Sequence, residues 1–169
     1  MRRLLCSALF AAPVLACAVP AVAAEPSLSA SHGDWKVYTR GEGRAKQCFA
    51  LTEPTTKAPA SVTHGDIYFL VGNWASGAAT EQPSLMTGYT LKPNRAPKAR
   101  VGSHVTTLYG ADNEAFVADT SDEKALVSKM RAGSTMTVEA TSSRGTDVSY
   151  SFSLKGVTAA LRDAKRLCG

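Results

Sequence analysis

The sequence predicts a mainly β domain, a sandwich or a partly open barrel, with two short helices of which the second closes the chain. Three observations carry that expectation. Residues 135–154 alternate apolar and polar side chains about a Ser142-Ser143-Arg144-Gly145 turn, further short apolar runs are separated by Gly and Pro, and residues 157–168 hold apolar groups at helical spacing. Bulk composition agrees, since 44% hydrophobic and 20% charged residues in a chain of 169 is ordinary globular material. Collagen-like, disordered and disulfide-dense classes are excluded, and one domain is expected at this length.

Taken in chain order, the first segment is an address rather than a fold element. Arg2 and Arg3 form a positive head, residues 4–19 an almost unbroken apolar run, and Ala21-Val22-Ala23-Ala24 the small residues that a signal peptidase needs. A cleaved signal peptide is therefore expected over 1–24, leaving a single domain over 25–169. Pro13 and Pro20 interrupt the run, and no later stretch approaches the ~20 apolar residues of a spanning helix, so the mature chain should have no transmembrane helix. Val14-Leu15-Ala16-Cys17 also loosely fits the signal by which bacterial lipoproteins acylate a cysteine. A lipidated start at Cys17 and an ordinary start near Glu25 both stay open, with the apolar continuation over 18–24 favouring the second. Loss of Arg2 and Arg3 lowers the formal charge from +5 to +3, so the mature domain is mildly basic.

Short strands are expected at 35–39, 48–52, 67–74, 85–91, 105–109 and 115–118. Two Pro-bearing stretches, 53–61 and 92–100, should be exposed loops. A first helix is signalled over 122–131, where Thr120 and Glu123 have capping-box spacing, Leu126, Val127 and Met130 form an apolar face, and Gly133 follows as a stop. Residues 135–141 and 147–154 then form a hairpin with one buried and one hydroxyl-rich face. The last helix, over 157–167, places Val157, Ala160, Leu161, Ala164 and Cys168 on one face, with Arg162, Lys165 and Arg166 toward its end, where positive charge suits the helix dipole.

Cys6 and Cys17 leave with the signal, and Cys48 and Cys168 remain. Export to an oxidising space should close them into a disulfide. A metal site is not expected, because two cysteines supply too few soft ligands and His32, His64 and His104 lack zinc-site spacing.

Catalytic signatures are sparse. Ser121-Asp122-Glu123-Lys124 has the Ser-x-x-Lys spacing of penicillin-binding enzymes without their companion motifs, and the helix cap explains the same residues. No nucleophile elbow, phosphate-binding loop or helical His-Glu-x-x-His occurs. The chain is read as non-enzymatic and without cofactor, and a serine hydrolase of envelope polymers and a lipid-anchored structural envelope protein are the alternatives. Binding chemistry is better represented: Lys92, Arg95, Lys98 and Arg100 crowd one proline-stiffened loop, and Arg40, Arg44 and Lys46 crowd another. Either group could meet an anionic partner or could simply keep the surface solvated. Nucleic acid is not an expected partner, because export removes the usual targets and the aromatics read as core residues.

Gly33-Asp34-Trp35-Lys36-Val37, Gln47-Cys48, Met130-Arg131-Ala132-Gly133, Ser142-Ser143-Arg144-Gly145-Thr146, the run from Tyr150 to Gly156 and the terminal Cys168 occur in an order that resembles the invasion-associated locus B family of exported bacterial proteins. The resemblance spans nearly the whole mature chain. It implies an immunoglobulin-like β-sandwich, a periplasmic location in a Gram-negative envelope with outer-membrane association or secretion open, and a link to host-cell invasion through the founding members. No enzymatic reaction is implied. The partner would be an envelope component or a host surface molecule. Many members carry a further cysteine where Thr39 stands here, so an additional bridge at the first strand is not expected. Trp35, Arg131, Gly133, Arg144 and Gly145 are carried over as scaffold positions. Arg131 ends a helix, where cations are favoured, and Arg144 sits in a tight turn.

Overall fold

The computed structural model describes residues 25–169; the signal peptide expected over 1–24, with Cys17, lies outside the described residues. Eleven strands and two helices follow in the order β1 (Ser27–His32), β2 (Trp35–Arg40), β3 (Gln47–Thr52), β4 (Thr56–Ala58), β5 (Tyr68–Trp74), β6 (Gln82–Met86), β7 (Lys98–Val101), β8 (His104–Ala111), β9 (Glu114–Val117), α1 (Thr120–Ala132), β10 (Thr135–Thr141), β11 (Asp147–Ser153) and α2 (Val157–Cys168). The fold is mainly β, as expected, and α2 is its last element.

All eleven strands belong to one antiparallel sheet of order β1-β2-β3-β5-β6-β9-β8-β7-β10-β11-β4. The bend falls in β8, whose residues 104–107 pair with β7 and whose residues 108–111 pair with β9. A strand that serves both layers makes the corner of a folded sheet. The two layers meet face to face, with Phe69 of β5 against Phe152 of β11 at 5.7 Å between ring centroids. Because β1 and β4 end the order, the sheet is not closed into a barrel. This two-layer arrangement is compatible with the sandwich that the resemblance implies.

Inward positions follow the strand period of two. Met136, Val138 and Ala140 of β10 and Val148, Tyr150 and Phe152 of β11 are buried, while their alternate neighbours carry hydroxyls and charge, as the hairpin reading requires. Trp35 is wholly buried on β2 and its indole Nε1–H donates to the Ser153 carbonyl at 2.9 Å, which links the first layer to the second. Differences from the sequence reading lie at the edges. The 53–61 stretch contains β4, paired with β11, and β7 begins inside the 92–100 stretch. β1 was not expected, and the strand placed over 85–91 ends at Met86.

Both helices cover the inner face of the first layer where the second layer does not reach. α1 buries Leu126, Val127 and Met130. Its N-cap is Asp119 with no side-chain capping bond, so the box expected from Thr120 and Glu123 does not form; the Glu123 N–H bonds the Asp119 carbonyl and its carboxylate meets Gln82. Gly133 ends the helix with ordinary negative φ, and space is what requires it: a Cβ there would fall 2.6 Å from Val101 Cγ1. α2 lies against β2 and β3 through Val157, Ala160, Leu161 and Ala164. It starts from Gly156 at φ 93°, where a Cβ would lie 2.0 Å from the His32 carbonyl oxygen, so both backbone hand and contact demand glycine. Its far end is fixed by the Cys48–Cys168 disulfide and by the Lys46 ammonium, which donates to the Leu167 carbonyl at 2.9 Å.

Midway along α2, Asp163 reaches the imidazole of His32 on β1 at 2.8 Å and Arg166 at 3.5 Å. The His32 hydrogen bond, aided by the charges of Arg166 and Arg162, holds the Asp163 carboxyl below the usual carboxylate range. A carboxyl so depressed adds stability that is fully present above the unfolded value of about 4 and is lost as pH falls below it. Asp163→Asn is therefore expected to lower the melting temperature at pH 7, with the gap to the unsubstituted protein shrinking as the pH is taken from 5 toward 2.

Candidate functional site

The outward face of the first layer is the least ordinary surface of the domain. Strands of an antiparallel sheet with one wet side normally alternate, yet β3 and β5 carry apolar groups on both sides. On β3, Phe49 and Leu51 face out beside buried Ala50; on β5, Tyr68, Leu70 and Trp74 face out beside buried Phe69 and Val71. Register then aligns them across strands. Tyr38 stands opposite Phe49, Leu51 opposite Leu70, Tyr68 opposite Met86, and Phe116 opposite Tyr109. Tyr38 stacks on Phe49 with ring centroids 5.7 Å apart, and Tyr109 lies 5.8 Å from Phe116.

These side chains, Tyr109 excepted, wall a groove of about 600 Å³. Its floor is low because Gly72 and Ser84 hold the middle of β5 and β6, and the Trp74 ring lies over Gly72 so closely that a Cβ would be 2.8 Å from its Cζ3. Lys36 and Arg40 rise from β2 at one side, and Glu53 and Glu114 stand at other points of the rim. The Arg40 guanidinium donates to Gln47 Oε1. Burial, then the charges of Asp66 and Glu53, push the Tyr68 hydroxyl up from its ordinary value, so it remains a hydrogen-bond donor. A volume of this size, mostly apolar with a few polar groups at its margin, matches small-ligand sites of ~300–1,000 Å³. It offers stacking and apolar contact, with charge available only at the edge.

The basic residues singled out from the sequence divide between the two layers. Arg40 lines the groove and Arg44 is exposed in the turn before β3, whereas Lys46 is engaged with the end of α2. In the second layer, Arg95 pairs with Asp147 at 3.3 Å, and Lys98 stands opposite Glu139 in the sheet. A Thr141 hydrogen bond, then the charges of Arg95 and Lys92, hold the Asp147 carboxyl below its usual range. Arg100 faces Thr137 and Val105 across the sheet. The 92–100 group is thus basic but not free of counter-charge. Trp35 is wholly buried, Gly133 has no room for a Cβ beside Val101, Gly145 has φ 89°, and Arg131 joins the end of α1 to Glu81 through an ion pair. Arg144 is exposed in its turn. Ser121 and Lys124 are exposed on the first turn of α1.

Among the described residues no three His, Cys, Asp or Glu groups gather as a metal site would need, and no helix is long and apolar enough to cross a membrane. The groove aromatics are the functional feature that sequence reasoning missed, since aromatic residues were assigned to the core. The signal was present in the unalternating runs 47–52 and 68–74.

Fold and groove together define a class: a folded antiparallel sheet, clamped from within by a disulfide-linked helix, that presents an open apolar face on the outside. The chain belongs to the invasion-associated locus B family, whose model, described as Invasion associated locus B (IalB) protein, matches residues 35–165. No curated protein and no solved structure matches the chain.

The contact between Trp74 and Gly72 gives the groove a direct test. Gly72→Ala should lift the Trp74 ring off the floor into solvent and shift its fluorescence emission to the red, while the buried Trp35 emits as before. Emission unchanged from the unsubstituted protein would contradict this geometry.

Proposed function

We propose that this protein is an exported, non-enzymatic envelope or surface protein that binds an amphiphilic partner through the groove and contributes by that binding to host-cell invasion. One observation carries the reading: six aromatic side chains, Tyr38, Phe49, Tyr68, Trp74, Tyr109 and Phe116, stand on an outward sheet face. Apolar surface of this kind marks a binding site, because leaving it in water costs about 25 cal/mol per Å². Family membership supports the reading in general terms. The periplasmic location rests on the leader expected over 1–24 and on the two cysteines that an oxidising space would join.

The partner chemistry follows from the groove. An apolar body fits the floor and aromatic walls, and an anionic head fits Arg40 and Lys36 at the rim. Lipopolysaccharide is an envelope component with both features. The basic 92–100 stretch adds a long-range field that hastens encounter with an anionic surface and is screened by salt.

The test is capture of the mature protein by immobilised lipopolysaccharide. Leu70→Asp with Phe116→Asp should reduce capture at least tenfold, about 1.4 kcal/mol, in a protein that keeps its native far-UV circular dichroism at the assay temperature. Reversing Lys92, Arg95, Lys98 and Arg100 to acidic residues should weaken capture at low salt and flatten its salt dependence. Capture that survives the groove substitutions would overturn the assignment.

A further inference from the structure

A second depression, of about 640 Å³, opens between the segment 62–65, the segment 88–90 and the turn between β10 and β11. Its chemistry is opposite to that of the groove. Tyr89, Thr90, Ser142, Ser143 and Thr146 supply hydroxyls, and Arg144 stands among them as the cation. The turn geometry requires Gly145 but leaves the Arg144 side chain unexplained: it is exposed and has no ion-pair partner among the described residues.

The cleft is preformed. Ser143 N–H donates to the Thr90 carbonyl at 2.8 Å and Lys92 N–H to the Thr141 carbonyl at 2.8 Å, which ties two of the segments together. Gly88 lies backbone on backbone with Asp66, since a Cβ there would fall 2.8 Å from the Asp66 nitrogen. Little ordering is left for a ligand to impose.

A chain of hydrogen-bonded side chains runs beneath the cleft. His64 is 9% exposed, and its Nε2 lies 2.9 Å from the Pro59 carbonyl oxygen, which can only accept. Its Nδ1 lies 3.1 Å from the Tyr150 hydroxyl, which is in turn hydrogen-bonded to the Tyr89 hydroxyl at 2.8 Å. Burial pushes the Tyr150 hydroxyl well above the ordinary phenol range, so it keeps its proton. The Tyr89 hydroxyl ends this chain at the wall of the cleft.

We propose that this cleft binds an acidic sugar, a hydroxyl-rich ring bearing one carboxylate or phosphate. Its acid group meets Arg144 in a charge-assisted hydrogen bond. One ring hydroxyl hydrogen-bonds with the Tyr89 hydroxyl, and others exchange hydrogen bonds with Ser142, Ser143 and Thr146. The few apolar contributors, Val62 and Val148, give no platform for an acyl chain, which separates this site from the groove.

The experiment titrates the mature protein with glucuronate, glucose 6-phosphate, glucose and inorganic phosphate while backbone amide shifts are followed by NMR. At least one acidic sugar should move the amides of Tyr89 and of residues 142–146, and should bind more tightly than glucose or phosphate. Arg144→Gln should weaken that sugar about tenfold and abolish its advantage over glucose. Tyr89→Phe should weaken both acidic and neutral sugars several-fold, and the groove substitution Leu70→Asp should leave all of them unchanged. The proposal is overturned by acidic sugars that move none of these amides up to about 10 mM. It is equally overturned by glucose or phosphate binding as tightly as the acidic sugars, or by an Arg144→Gln protein that binds as before. Retained sugar binding alongside failed lipopolysaccharide capture would sink the groove reading alone.

Discussion

The structure depends on α2 being held against the inner side of β2 and β3. Covering the buried face of those strands is what lets their other face remain open, and the Cys48–Cys168 disulfide fastens the helix at the end where the second layer gives no support. The bridge spans a sequence separation of 120, for which the chain-entropy treatment gives about 4 to 5 kcal/mol as an upper figure. The opposite end of the helix is fixed by steric fit, through Gly156 against the His32 carbonyl and the Asp34 N–H bond to the Lys155 carbonyl. Trp35 then joins that corner to β11.

From this clamp follows a division of labour within one set of strands. β3 and β5 contribute Ala50, Phe69 and Val71 to the core and Phe49, Leu51, Tyr68, Leu70 and Trp74 to the groove. A rigid support of this kind keeps aromatic walls in place without a ligand, which reduces the ordering cost of binding. The second layer has a different character. Its outward side chains are largely hydroxyls and charges, and its turns enclose a cleft of hydrogen-bonding groups. An apolar site and a polar site on one small domain suit a partner, or a pair of partners, with both kinds of surface.

Much of the architecture is legible in the sequence where local pattern and tertiary demand coincide. The hairpin of β10 and β11 shows clean alternation because one face meets the core and the other meets water. α2 is readable from its helical spacing, and the cysteine pair from compartment chemistry. The edges are not readable. β1 reads Ser-Leu-Ser-Ala-Ser-His, mostly polar and exposed, and becomes a strand only because β2 offers it a ladder; β4 is three exposed residues that pair with β11. The groove escaped notice for a related reason, since an apolar residue on a strand is ordinarily assigned to the core and only the register shows which side it faces. The positive loops, conspicuous in the sequence, are partly engaged in the fold: Lys46 caps a helix and Arg95 meets Asp147.

The central claim is that an oxidised link between β3 and α2 sustains the open sheet face. It is tested most directly by thiol alkylation of the native protein, followed by its unfolding with and without reductant. The account predicts that neither Cys48 nor Cys168 is alkylated before reduction and that the unfolding midpoint drops markedly after it. Ready alkylation of both in the native protein, or a midpoint indifferent to reductant, would contradict it.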